Sequence, residues 1–314
     1  LVFPAFAARP SNVNDFPPNT PFHTLTITGG GYTLSGNAIV TSAGLIHEVA
    51  NGDVTIQNDW ILAASQSIQT AGVADLFGNL FITGNIDLGT STLTLDKPHN
   101  NGSQLDLSGV ISGSGGLIKT GNSGNTFLRG SNTYSGVTEI VTGSLGVFAV
   151  DSLGSTSTGT IIQANGALNI FAVLDTFNEP LDIRANGAVY LSGVGLNLAG
   201  PIQSAGSIVA NNSGQTISGN IALTGTTTIM AVSDTSVTGA VTDGGMWHGL
   251  SLQTFVAGTT IQLANPGNDY LSLLNIWGPG TVQLASSGVI PDQATVIVSS
   301  GSTLDINNQT EAIG

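Results

Sequence analysis

From Thr24 to the end of the chain, short runs alternate apolar and small polar residues and stop at glycine, asparagine or serine. Examples are Thr24-Leu25-Thr26-Ile27-Thr28, Thr92-Leu93-Thr94-Leu95-Asp96, Gln104-Leu105-Asp106-Leu107, Ala188-Val189-Tyr190-Leu191 and Leu304-Asp305-Ile306. A two-residue period over four to six positions describes a strand with one buried side. The separators, such as Thr28-Gly29-Gly30-Gly31 and Ser112-Gly113-Ser114-Gly115-Gly116, supply the positive φ that tight turns need. Helical periodicity is nearly absent. Residues 59–71 come closest and fit poorly. The chain therefore reads as all-β.

The runs are too regular for independent sheets. Gly84-Asn85-Ile86 reappears as Gly109-Val110-Ile111 after 25 residues, and Gly200-Pro201-Ile202 as Gly219-Asn220-Ile221 after 19. One coil of a solenoid closes over about 20–25 residues, and stacked coils bury what a single coil cannot. At about 22 residues per coil the chain makes about 13 coils, a rod about 60 Å long at the usual spacing between strands. Residues 1–22 differ: they hold Pro4, Pro10, Pro17, Pro18 and Pro21, which favour an extended arm over a helix or central strand. The expected division is a Pro-rich arm over 1–22 and a parallel β-helix over 23–314.

Residues 113–147 carry the most specific pattern. It runs Gly115-Gly116-Leu117-Ile118-Lys119-Thr120-Gly121, then Asn132-Thr133-Tyr134-Ser135-Gly136, then Gly143-Ser144-Leu145. This resembles the autotransporter passenger-associated β-strand repeat, and the sequel as far as 170 follows the same habit. A looser copy covers 265–314, with Asn268-Asp269-Tyr270, Gly288-Val289-Ile290-Pro291-Asp292 and Gly301-Ser302-Thr303-Leu304-Asp305. The resemblance implies a right-handed parallel β-helix, secreted or displayed on a bacterial surface. It implies structural roles for Gly116, Leu117, Lys119, Gly121, Asn132, Tyr134, Gly136, Gly143 and Leu145, and it carries no catalytic residue. No stretch resembles the membrane barrel that usually follows such passengers.

Bottom-up expectations accompany it. Leu117, Phe127, Ile140, Leu145, Ile162, Leu168 and Ile170 should face the core. Tyr134 should cover a coil edge with its hydroxyl on backbone, and Lys119 and Arg129 should pair with Glu139 or Asp106. Asn132, Asn268 and Asn307 should sit at bends and bond to backbone or to one another.

Charge excludes more than it suggests. The chain of 314 residues has only 5 Lys and Arg against 19 Asp and Glu, a net charge of −14, which leaves too few cations to track a phosphate backbone or an anionic membrane. Cysteine is absent, so no disulfide, thiolate metal site or Cys nucleophile exists. Asp53 with Asp59, and Asp182 with Asp175 or Glu179, are the carboxylate pairs a glycosidase would need, yet each lies in a turn-like setting. Arg184 beside Asp182 is a poor lyase candidate. His23, His47, His99 and His248 lack metal spacing, and the turns at Asn51-Gly52-Asp53 and Asn58-Asp59 offer at most a weak calcium site. These features predict no enzyme, no cofactor and no metal. They point to an extracellular structural or adhesive β-helix, a stalk, fibre or matrix component. Its expected partners are surface or matrix molecules or further copies of itself stacked head to tail, with Val2, Phe3, Phe6 and Ile313 at the contact. The alternative is a carbohydrate-active β-helix enzyme whose groove the sequence does not reveal.

Overall fold

The computed structural model describes residues 1–5, 11–70, 78–99, 102–122 and 124–313, and Phe6 lies outside them. Among the described residues every regular element is a strand, and every described strand pairing is parallel. The chain forms a β-solenoid of about 13 turns. It divides into two compact units, Leu1–Thr160 and Ile161–Gly314. The weak helix candidate at 59–71 is instead the strands Trp60–Leu62 and Gln66–Gln69; Ala71 lies outside the described residues.

In the first unit each early coil visits three faces in turn. One such circuit is Gln66–Gln69 on the first face, Leu80–Ile82 on the second and Ile86–Asp87 on the third. The next circuit is Leu93–Asp96, Leu105–Leu107 and Ile111–Ser112, each pairing with its predecessor. Alternation decides which side chains enter the coil. Ile56, Ile82, Leu107, Leu128 and Val147 follow one another in register and are all buried. Each buried aliphatic side chain contributes roughly 1.5–3 kcal/mol.

The second unit repeats this plan, for instance Ile202–Ser204, Ser207–Ala210 and Gln215–Ile217. Its inner column on the second face is Leu168, Val189, Ile208, Ile229, Leu252 and Ile276, all at 0–1% exposure. Of the side chains expected in the core, Leu117, Ile140, Leu145, Ile162, Leu168 and Ile170 are buried. Phe127 is not. Thr126 and Leu128 take the inward positions of its strand, so the phenyl ring between them points out.

The glycines that suggested the repeat stack on consecutive coils. A Cβ at Gly109 would lie 2.0 Å from the Gly84 carbonyl oxygen, and one at Gly219 would lie 2.0 Å from that of Gly200. Backbone passes over backbone too closely there for any side chain.

The Pro-rich segment is extended, but its described part is paired within the chain. Val2–Phe3 pairs with Thr26 and Ile27, Ser11–Asn14 with Thr33–Gly36, and Pro21–Phe22 with Val40 and Thr41. Pro21 opens its strand, a position that tolerates a missing N–H. The Phe3 ring packs edge-on against Tyr32 at 5.4 Å, and the Tyr32 hydroxyl donates to the Pro4 carbonyl at 2.7 Å. Phe3 is thus half-buried in its own chain, while Val2 and Ile313 are 63% and 48% exposed.

Candidate functional site

The repeat-motif residues are interior fittings. Among the described residues the third face of the first unit has no further strand after Ile111–Ser112, and the segment Asn132–Tyr134 closes it. Asn132 Oδ1 accepts the Ile111 N–H at 2.8 Å, its Nδ2 donates to the Ser152 carbonyl, and the Thr133 and Tyr134 N–H groups donate to the Ile111 carbonyl. The Tyr134 ring is fully buried, and its hydroxyl meets Thr138 Oγ1 at 2.6 Å where backbone was expected. Gly136 lies on Gly115, where a Cβ would come within 2.4 Å of a carbonyl oxygen. Leu117 is buried and Gly116 half-buried, Gly121 and Gly143 take positive φ, and Leu145 is in the core. Asn268 repeats the Asn132 pattern, accepting from the Val241 N–H at 2.9 Å and donating to the Val289 carbonyl at 2.8 Å. Asn307 also bonds to backbone, at the Leu284 carbonyl.

Lys119 overturns its expected pairing. Its strand places it inward beside Leu117, 1% exposed, where its ammonium donates to the Thr120 and Gly121 carbonyls. Burial pulls its pKa down to about 8, with Asp96 opposing and Lys97 adding to the shift. Lys97 is equally buried, bonds to the His99 carbonyl and Ser103 Oγ, and is held at about 8 by desolvation. His47 is brought to about 4 by burial and then by the Lys97 charge.

In the second unit the buried charges are carboxylates, Glu179 and Asp243. Burial pushes the Asp243 carboxyl up, but N–H bonds from Leu271, Gly245 and His248 prevail and leave it below its ordinary value. Of the candidate catalytic carboxylates, Asp53, Asp59, Asp175 and Glu179 lie outside strands, whereas Asp182 lies on the strand Leu181–Ile183 where a turn was expected. Asp53 accepts from Asn79, Asp59 from the Asn85 N–H and Asp175 from the Thr176 N–H, while Asp182 bonds Arg184 at 2.6 Å. Among the described residues no three His, Asp or Glu side chains gather closely enough to share an ion.

What the structure adds is the outer side of the second face. In the first unit it carries Phe81, Phe127 and Phe148, with Arg129 lying 4.0 Å from the Phe148 ring centre and bonding Asp106 through Nε. That ion pair was anticipated; the rings were not. In the second unit the same face carries Tyr190, Met230 and Trp277, followed by Phe255 beyond the strand end.

Among the grooves of the second unit, two differ in chemistry. One, of about 540 Å³, lies along the third face and is lined by Gln215, Asp234, Ser236, Gln262 and Gln283 among others. Its polar groups satisfy one another. Ser236 meets Gln262, Gln262 Nε2 donates to Gln283, Gln283 donates to Asp305, and Gln215 donates to the Gly193 carbonyl. The other groove, of about 580 Å³, lies on the second face and includes Tyr190, Met230, Val232 and Phe255 together with Asn186, Ser207 and Asn211. Its lining holds no charged side chain. Among the described residues, the side-chain polar groups of Asn186, Tyr190, Ser207 and Asn211 make no bond within the chain.

The sequence does hold a signal for this site. Val189-Tyr190-Leu191 and Ile229-Met230-Ala231 put a large apolar residue where alternation calls for a small polar one. Comparison with protein-family models, curated proteins and solved structures finds no match to this chain.

Proposed function

We propose that this chain is an extracellular structural and adhesive β-solenoid that acts without catalysis and holds its partner on the outer side of the second face. The carrying observation is the second-face groove of residues 161–314, where aromatic and apolar side chains lie beside unbonded amides and hydroxyls. Such a surface contributes contact area and directional bonds and needs no moving part. The likeness of 113–147 to passenger repeats supports export. The exposed Val2 and Ile313 leave apolar side chains for contacts between copies, a role Phe3 does not share.

Beads coated with the 314-residue chain test the proposal. They should be retained on cell-wall or extracellular-matrix preparations, and beads carrying Tyr190→Ala with Phe255→Ala should wash off. Equal retention of both overturns the binding face. Reproducible turnover of pectin, alginate or peptidoglycan by the purified chain, lost on replacing Asp182 and Arg184, overturns the non-catalytic reading.

A further inference from the structure

The second-face groove also limits what can occupy it. We infer that it takes a neutral glycan chain, an inference that rests on reading this groove as the adhesive surface. Four properties of the groove combine to support this occupant.

A polyanion is disfavoured, because the lining offers no cation and the chain carries −14. An extended peptide adding as a strand needs an open sheet edge. The strands beneath this groove, Ala188–Leu191, Ser207–Ala210 and Thr227–Ala231, are paired on both sides. A wholly apolar occupant would strip water from Asn186, Tyr190, Ser207 and Asn211 and give their polar groups nothing in return. What remains is a ligand with flat apolar faces and many uncharged hydroxyls. Pyranose rings have both: their C–H faces lie on aromatic rings, and their hydroxyls both donate and accept.

Spacing agrees with this occupant. Tyr190 and Phe255 stand three coils apart, with Val209 and then Met230 on the coils between. At the usual strand spacing that is about 14 Å, the length of about three sugar rings. Asn211 is one coil from Tyr190, placed to bond a hydroxyl of a ring stacked there.

Titration calorimetry of the full chain with cellohexaose, laminarihexaose, chitohexaose and hexagalacturonate decides it. At least one neutral oligosaccharide should bind saturably. Tyr190→Ala and Asn211→Ala should each weaken that binding at least about fivefold, as central contacts do. Gln262→Ala, in the self-bonded groove, should leave it unchanged, and unaltered melting of all three variants excludes misfolding as the cause. The inference is overturned if no neutral oligosaccharide binds, if hexagalacturonate binds more tightly, or if Tyr190→Ala binds as well as the parent. Bead retention that depends on Tyr190 while every neutral oligosaccharide fails would sink the glycan and leave the adhesive face standing. Saturable, Tyr190-dependent oligosaccharide binding without bead retention would do the reverse.

Discussion

Asn132 and Asn268 make the same two bonds, one to the coil before and one to the coil after, yet they serve different faces. Asn132 closes the third face of the first unit beyond Ile111–Ser112. Asn268 sits at the first face of the second unit, beyond Val241–Thr242, where Thr242 and Asp269 form an isolated bridge. The clamp is therefore independent of face: it needs one N–H below and one carbonyl above. Its surroundings differ. Asn132 is 4% exposed, whereas Asn268 is half-buried. Gly136 of the first turn corresponds to Ser272 in the second, and Thr138 to Leu274. The units also bury different charges: among the described residues the first buries Lys97 and Lys119 together with Asp106, and the second buries the carboxylates Glu179 and Asp243.

The buried lysines of the first unit set it apart from the second by pH, and this is the largest expected effect. Each lysine has a folded pKa of about 8 against an ordinary 10.5, so between those values the unfolded chain binds more protons. Stability must then rise with pH through that window and be weakest below it. Asp243 is depressed, so its contribution is already complete above the ordinary carboxyl range and disappears only in acid. The melting temperature should climb from pH 8 to 10. Lys97→Met with Lys119→Met should flatten the climb, and Asp243→Asn should not. A parent profile that is flat or falling over this window refutes the assignment.

The clamps come next. Asn132→Ala leaves a buried N–H and a buried carbonyl unpaired and should cost about 2–4 kcal/mol. Asn268→Ala, where water reaches the site, should cost about 1 kcal/mol. Chemical denaturation of the two variants compares them directly. Equal losses would mean that burial does not control the clamp. Smaller still is the exchange of glycine and serine. Gly136→Ser brings a Cβ against the Gly115 carbonyl and should cost about 1–3 kcal/mol, whereas Ser272→Gly should stay below about 1 kcal/mol. A harmless Gly136→Ser would show that the Gly115 backbone yields.

The comparison also marks what could be read from the sequence. Alternation was enough to place Leu25, Leu95 and Leu105 inside, because polar neighbours on both sides fix which side is buried. It failed at Thr126-Phe127-Leu128, where the neighbours of Phe127 were both able to enter the core. The same ambiguity concealed the groove, since Tyr190 and Met230 each sit between two apolar residues that the core takes. Third-face strands such as Ile86–Asp87 and Ile111–Ser112 span two residues, too short to show a period. In the N-terminal segment proline masked pairing that needs few N–H groups. The buried lysines were hidden for another reason: a cation is expected outside, and acceptors such as the carbonyls of Thr120, Gly121 and His99 and the Ser103 hydroxyl make the inside tolerable.

The tyrosines give the smallest difference and the sharpest test of what the repeat motif is for. Both rings are fully buried, so both fill the same kind of space beside their clamp. Tyr134 has Thr138 four residues on and bonds it; Tyr270 has Leu274 there, and its buried hydroxyl has no partner. Burial and the nearby Glu311 charge raise the Tyr270 pKa, so the phenol stays protonated and its O–H remains an unmet donor. Tyr134→Phe removes one partner of a buried pair, orphans Thr138 Oγ1 and should cost about 1 kcal/mol. Tyr270→Phe removes a hydroxyl that already goes unpaired and should be neutral or slightly stabilising. If the hydroxyl were what the motif preserves, both substitutions would cost alike in denaturant melts. If the ring is what matters, the two phenylalanine variants part by about 1 kcal/mol, while Tyr134→Ala and Tyr270→Ala each lose about 3–5 kcal/mol from the cavity they leave.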